Sequence, residues 1–144
     1  MPSLTRNNPN LQIEGPIIEV HFLISTELEK KYHEEGKKIP EPIIVNALID
    51  TGASHCVIQD EIPKKLELKP VGSVRIQTPL SKDYECYQYF LRMIIPLQNI
   101  TYEGVFTAAP LEVQNVKCLI GRDLLMHGLF IYIGYINQFT FSLL

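Results

Sequence analysis

The residues with the clearest capacity for chemistry lie in NALIDTGAS, residues 46–54, where an aliphatic strand runs into Asp50 and a Thr-Gly pair. A carboxylate beside a buried strand is costly unless hydrogen bonds or a charge compensate it. Gly52 supplies the backbone freedom for a sharp turn, in which Asp50 can accept hydrogen bonds from nearby N–H groups, including that of Gly52. The segment therefore predicts an ionisable group at the rim of a dry core, or an Asp that only caps its own turn.

A second segment, VKCLIGRDLL over residues 116–125, has a similar form. Another aliphatic strand runs into a glycine, and the charged pair Arg122 and Asp123 then opens a predicted helix. Residues 119–121 align with residues 48–50, which indicates two structurally similar halves with a carboxylate in only one of them.

The chain has 144 residues, of which 46% are hydrophobic and 20% charged, and its formal net charge is -3. This length suits one globular domain, and there is no basic excess of the kind that binds nucleic acid. The N-terminal segment is polar, and no stretch approaches the roughly 20 apolar residues of a membrane helix. We therefore expect one cytoplasmic domain over residues 16–144, preceded by residues 1–15 as a flexible tail or an interface strand, with neither nucleic acid nor membrane as a partner.

The cysteines and histidines do not indicate a metal site. The three cysteines are odd in number and widely spaced, and the four histidines lack ligand spacing. We predict neither a metal nor a cofactor, and we interpret Cys56 and Cys118 as small buried thiols.

Short apolar blocks separated by Gly, Pro and Asn predict a mainly β domain. Short helices are predicted at residues 26–36, just after residue 59, and at residues 121–128. In the final block, QFTFSLL over residues 138–144, apolar and polar residues alternate, which predicts a strand with one apolar face. Such a strand is an exposed edge unless another chain covers it or it is paired within its own subunit.

Taken together, the two motifs resemble those of the retropepsins, the single-domain aspartic proteases of retroviruses and their cellular and bacterial relatives. ALIDTGAS is similar to their active-site loop, and LIGRDLL to their closing motif of two aliphatic residues, Gly and Arg followed by a helix. The resemblance implies an all-β, retropepsin-like closed β-barrel with one short C-terminal helix, which dimerises through its terminal strands.

The resemblance also implies roles for individual residues. Asp50 would be the catalytic aspartate, and Thr51 and Gly52 would form the loop that interlocks with a second subunit. The implied substrate-binding residues are Gly52, Ala53 and Ser54 in the loop and Thr78, Pro79, Leu80 and Ser81 in a flap. The implied structural supports are Gly121, Arg122 and Asp123.

The flap of the family, a hairpin that folds over the substrate, corresponds to residues 73–90, with its turn at residues 78–83. Two departures from the retroviral pattern stand out. The turn contains no glycine, and Ser54 and His55 stand where retroviral members have an acidic residue that pairs with the closing arginine. Arg122 must then find another partner, either Asp123 or an interface carbonyl.

Aspartic protease chemistry needs two carboxylates about 3 Å apart that share one proton. This chain has a single Asp-Thr-Gly, so two copies of Asp50 must meet across a two-fold axis. The resemblance thus implies a homodimeric aspartic endopeptidase that hydrolyses bonds in a peptide or protein substrate. The alternative is a catalytically silent retropepsin-like module that binds peptides or dimerises.

Overall fold

The computed structural model describes residues 2–78, 81–111 and 115–143, with the backbone alone for residues 77, 78 and 81–84. This part of the chain is mostly β. Its strands are β1 Ser3–Asn7, β2 Ile17–Leu23, β3 Ile43–Ile49, β4 Val57–Ile58, β5 Gly72–Thr78, β6 Ser81–Ile95, β7 Ile100–Ala108, β8 Cys118–Ile120, β9 Gly128–Ile133 and β10 Gln138–Leu143. Its α-helices are α1 Leu11–Glu14, α2 Thr26–Glu34, α3 Glu61–Lys65 and α4 Arg122–Leu125, with 3-10 turns at Pro96–Gln98 and Gly134–Ile136. Among the helices described, none has the length and apolar character needed to cross a membrane.

Six of the strands close into a barrel. The larger sheet has the order β2-β3-β8-β4-β7-β6-β5, and an additional pairing of β2 with β6 closes the sheet and leaves β5 outside the ring. The predicted closed β-barrel is therefore confirmed. The predicted C-terminal helix is α4, which ends before Gly128 because Gly128 begins β9. The helices predicted at residues 26–36 and just after residue 59 are α2 and α3, whereas α1 was not predicted.

The barrel is filled by the apolar faces of its strands. In β2, the buried residues Ile18, Val20 and Phe22 alternate with more exposed ones, as a strand with one face toward a core requires. Ile49 and Ile120 join the same core from the two strands that carry the sequence motifs. The core therefore fixes the ends of β3 and β8, from which the candidate site begins.

The chain termini form a separate antiparallel sheet in the order β1-β10-β9. Phe139 and Phe141 of β10 are buried, as the alternating pattern predicted. Ser142 pairs with Ser3 of β1 on one side and with Leu129 of β9 on the other. Of the two possibilities left open by the sequence, pairing within its own subunit therefore applies to β10, and the outer strands of this sheet are β1 and β9.

Candidate active site

Asp50 directly follows β3, and β3 runs parallel to β8. The register places Leu48 beside Leu119 and Ile49 beside Ile120. The Asp50 N–H then donates a 2.9 Å hydrogen bond to the Ile120 carbonyl, which continues the ladder by one more step. The two sequence motifs are thus neighbours in space, in the alignment that their similarity indicated.

A tight turn holds the Asp50 carboxylate. The Gly52 N–H donates to Asp50 Oδ1 at 2.9 Å, and the Ala53 N–H donates to the Asp50 carbonyl at 3.1 Å. Asp50 itself is half-buried, whereas Thr51 and Gly52 are exposed. The carboxylate therefore lies at the rim of the core with one oxygen fixed by a backbone N–H, a contact that the Asp-Thr-Gly pattern predicted.

Arg122, the first residue of α4, makes two hydrogen bonds to the same turn. Its Nη1 donates to the Thr51 carbonyl at 2.7 Å, and its main-chain N–H donates to the Ala53 carbonyl at 2.8 Å. The sequence suggested Asp123 or an interface carbonyl as the partner of Arg122. The structure instead gives it a carbonyl of the active-site loop in its own chain.

Asp123 holds the far end of the loop. Its Oδ1 and Oδ2 accept from the Cys56 N–H at 3.0 and 3.1 Å, and Oδ1 also accepts from the Cys56 thiol at 3.1 Å. Cys56 Sγ in turn accepts from the Gly121 N–H at 3.3 Å. Burial, with a smaller contribution from the Asp123 carboxylate, raises the pKa of the Cys56 thiol far above its usual range, so the thiol stays protonated and can donate.

The sequence interpretation of Cys56 as a small buried thiol overlooked this contact. The thiol reaches α4 because β4 pairs antiparallel with β8, with Val57 opposite Leu119. That pairing joins residues far apart along the chain, and no local pattern in the sequence indicates it.

Gly121 lies where the loop and the second motif approach most closely. A Cβ atom at this position would stand 2.5 Å from the carbonyl carbon and oxygen of His55 and 3.0 Å from the Ala53 carbonyl oxygen. Those are backbone atoms that a side-chain rotation cannot move away. A glycine is therefore required here for the close approach of two backbones.

The β5–β6 hairpin lies where the flap was predicted. Thr78 is paired with Ser81, so the connection is shorter than the predicted turn over residues 78–83, and β6 begins at Ser81. Pro79 and Leu80 lie outside the described residues, as do the side chains of Thr78 and Ser81, so the substrate contacts predicted for these four residues are not described.

A cleft of about 550 Å³ lies between this hairpin and the active-site loop. Its lining brings together the predicted residues Gly52, Ala53 and Ser54 with seven that the sequence interpretation did not assign to substrate binding. Those seven are His55, Val57, Val74, Arg75, Ile76, Gln88 and Thr107. They come from four different strands and the loop, and only the barrel topology shows that these segments face one another.

Within the described ranges, no group of three or more His, Cys, Asp or Glu side chains is arranged to hold a metal ion.

Comparison with known proteins identifies the class to which this fold and site belong. The family model for the retroviral aspartyl protease matches residues 14–129, so the chain belongs to that family. Among solved structures, it is similar to the crystal structure of a retropepsin-like aspartic protease from Rickettsia conorii, with 13% sequence identity, a TM-score of 0.47, and coverage of 98% of this chain and 95% of that one. A search of curated proteins found no significant match.

Proposed function

We propose that the protein is an aspartic endopeptidase that acts as a homodimer. The observation that carries this proposal is the position of Asp50: a half-buried carboxylate in an Asp-Thr-Gly turn, with one oxygen bound by the Gly52 N–H and the turn tied to α4 by Arg122. A turn fixed at both ends keeps the carboxylate in one orientation, which is what a proton-transfer group requires. The cleft next to the turn is lined by residues that can contact a peptide.

The reaction needs two such carboxylates in different protonation states. The ionised Asp50 removes a proton from a water molecule as the water oxygen attacks the scissile carbonyl carbon. The partner's Asp50, protonated, donates a hydrogen bond to the carbonyl oxygen and stabilises the charge that develops there. When the C–N bond breaks, the departing amine takes up a proton from the pair, and the two carboxyls again share one proton.

Because each chain has one Asp-Thr-Gly, the second carboxylate has to come from another copy. The terminal sheet offers a surface for that contact. Its outer strand β9 exposes Leu129 and Ile131 on the face that alternates away from the half-buried Phe130, and Tyr135, just beyond β9, is 90% exposed. Exposed apolar side chains next to a sheet edge are typical of an interface between chains.

The second candidate function is a proteolytically silent module that binds peptides or dimerises. Arg122 favours it, because its guanidinium binds a backbone carbonyl and the acidic partner of retroviral members is replaced by Ser54 and His55. The Asp-Thr-Gly turn favours the enzyme, because a binding module has no need of a carboxylate at that point.

A cytoplasmic location remains a prediction from the sequence.

The test of the proposed function is Asp50→Asn, assayed on a peptide library at several pH values. Asn has nearly the same shape and can still accept from the Gly52 N–H, but it cannot take a proton from water. We expect loss of cleavage with the dimer intact by mass measurement. The control is Asp60→Asn, since Asp60 precedes α3 and its side chain makes no capping hydrogen bond there.

Unchanged cleavage by Asp50→Asn would rule out the mechanism. A wild-type protein that is a stable monomer and cleaves nothing would instead support the silent module.

A further inference from the structure

We propose that Phe90, with Val71 and Val105 on either side of it, binds an apolar side chain of the peptide substrate outside the active-site cleft. This inference rests on the proposed function, because the cleft has to hold a peptide. It concerns how far the bound peptide extends over the protein surface, and not the carboxylates that cleave it.

Strands β6 and β7 connect the cleft to this outer surface. Gln88 stands opposite Thr107 in their register, and both residues line the cleft. Phe90 stands opposite Val105, two residues further along each strand and therefore on the same face of the sheet. Since a strand rises about 3.4 Å per residue, the Phe90–Val105 pair lies about 7 Å beyond the cleft residues.

The Phe90–Val105 pair is apolar and open to solvent. Each of the two side chains is 41% exposed, although both belong to strands whose other face is buried in the barrel. Val71, whose N–H donates to the Gln88 carbonyl at 2.7 Å, adds a further exposed apolar side chain at the start of the hairpin. The surface beyond the cleft therefore offers apolar contacts that the fold itself does not use.

Helix α2 forms one wall of this surface. A groove of about 810 Å³ lies between α2 and the segment that precedes β5. Four lysines and four glutamates line the groove, so these side chains leave it without a net charge. Its apolar lining consists of Leu28, Tyr32, Leu68, Val71 and Phe90. An uncharged, apolar peptide segment is therefore the ligand that the groove favours.

Two polar contacts hold α2 in this position. Arg92, the next residue on the outer face of β6, donates to the Glu29 carboxylate of the helix. Glu103, opposite Arg92 on β7, accepts from the Thr26 N–H and hydroxyl. The helix therefore closes the outer face of the two strands just beyond the apolar pair, and a peptide that leaves the cleft along β6 would contact that pair before it reaches the helix.

The spacing of the strand residues also sets the position of the bound side chain in the substrate. An extended peptide has nearly the same rise per residue as a strand, so the side chain at Phe90 belongs to the residue about two positions beyond the one at Gln88. Partial burial of one Leu side chain on this open surface predicts a gain of about 5-fold in kcat/KM.

The experiment starts from a library peptide that the protein cleaves, lengthened at both ends by Gly and Ser residues. Leu or Ser is placed at each added position in turn, and kcat/KM is measured for the two peptides of each pair. Factors that act on catalysis alone affect both peptides equally and cancel in the ratio of Leu to Ser. We expect a ratio of about 5 at one added position and no preference at the others.

Three variants identify the surface responsible. Phe90→Thr removes the ring but keeps a residue that suits a strand, so the preference for Leu should disappear. Phe90→Lys should make the peptide with Glu at that position a better substrate than the one with Ser. Ile44→Thr is the matched control and should keep the preference for Leu, because Ile44 is 59% exposed but lies on β3.

Equal cleavage of the Leu and Ser peptides at every added position would overturn the inference, as would an unchanged preference for Leu in Phe90→Thr. The same peptides, labelled and titrated into Asp50→Asn, give the preference as a ratio of Kd values without cleavage. If the wild-type protein cleaves nothing, the starting peptide is chosen by its binding to Asp50→Asn. Cleavage without a preference for Leu therefore rejects the role of Phe90 alone, whereas Leu-selective binding without wild-type cleavage rejects the proteolytic function alone.

Discussion

Both oxygens of the Asp123 carboxylate accept a hydrogen bond from the Cys56 N–H, at 3.0 and 3.1 Å. Asp123 N–H also donates to the Ser54 carbonyl at 3.2 Å, so one residue binds the loop on two sides of His55. Two consecutive residues of α4 therefore hold the two ends of the active-site turn. Arg122 binds the Thr51 carbonyl, and Asp123 binds the Cys56 N–H.

Asp123→Ala should lower the free energy of unfolding by about 1–3 kcal/mol, because it leaves the buried Cys56 N–H without an acceptor. Denaturation in urea measures the change. Asp60→Ala is the matched control and should change stability by less than about 0.5 kcal/mol. Equal effects of the two substitutions would show that the Asp123 contact does not hold the loop.

Gly121→Ala should destabilise the protein by about 1–3 kcal/mol and reduce cleavage, because the new methyl group would overlap the His55 backbone. Gly36→Ala provides the comparison. Gly36 has φ +66 and no neighbouring atom within 4 Å, so its replacement carries a conformational penalty of about 1 kcal/mol without overlap. We expect both substitutions to lower the melting temperature in thermal unfolding. Only Gly121→Ala should reduce cleavage in a peptide assay. Normal cleavage by Gly121→Ala would contradict this.

Ile131→Lys should weaken the proposed dimer, because it places a charge on the exposed apolar strand β9, where Ile131 is 48% exposed. The variant should remain folded but show a lower average mass, and its specific activity should recover as its concentration increases. Ile44→Lys is the control, since Ile44 is 59% exposed on the barrel strand β3. A dimer that resists Ile131→Lys would place the interface elsewhere.

Glu103 should contribute a pH-dependent part of the stability. Hydrogen bonds from the Thr26 hydroxyl at 2.6 Å and the Thr26 N–H at 2.5 Å lower the pKa of Glu103, the hydroxyl having the larger effect. A lowered folded-state pKa means that the contribution is complete above the ordinary glutamate pKa and is lost as the pH falls through the folded value.

Glu103→Gln should therefore destabilise the protein at pH 7, by less than about 1 kcal/mol because the group is exposed, and the difference should be smaller at pH 3. Urea denaturation at the two pH values measures this. A difference of the same size at both would show that the effect does not come from ionisation.

The sequence predicted the parts of this molecule that local patterns encode. Two similar aliphatic strands, which end at Ile49 and Ile120, led to the expectation of two similar halves, and these two strands pair in parallel in the alignment that their similarity indicated. The contact between Cys56 and Asp123 could not be predicted, because it depends on β4 lying beside β8. The pairing of β1 with β10 could not be predicted either. The mostly polar segment Ser3–Asn7 lacks the alternation of polar and apolar side chains that indicates a strand.

The turn of the hairpin illustrates another limit. The turn was predicted at residues 78–83 because the resemblance to the retropepsins places the flap there. The strand nevertheless restarts at Ser81, since pairing with β5 over many residues outweighs the weak preference of individual side chains.

Strand β10 has backbone partners on both sides within its own chain, so a second molecule would have to contact the outer strands of the terminal sheet. If catalysis requires two Asp50 carboxylates, a dilute solution would hold folded but inactive chains, and activity would rise with the square of their concentration. The amount of protein would itself act as the switch.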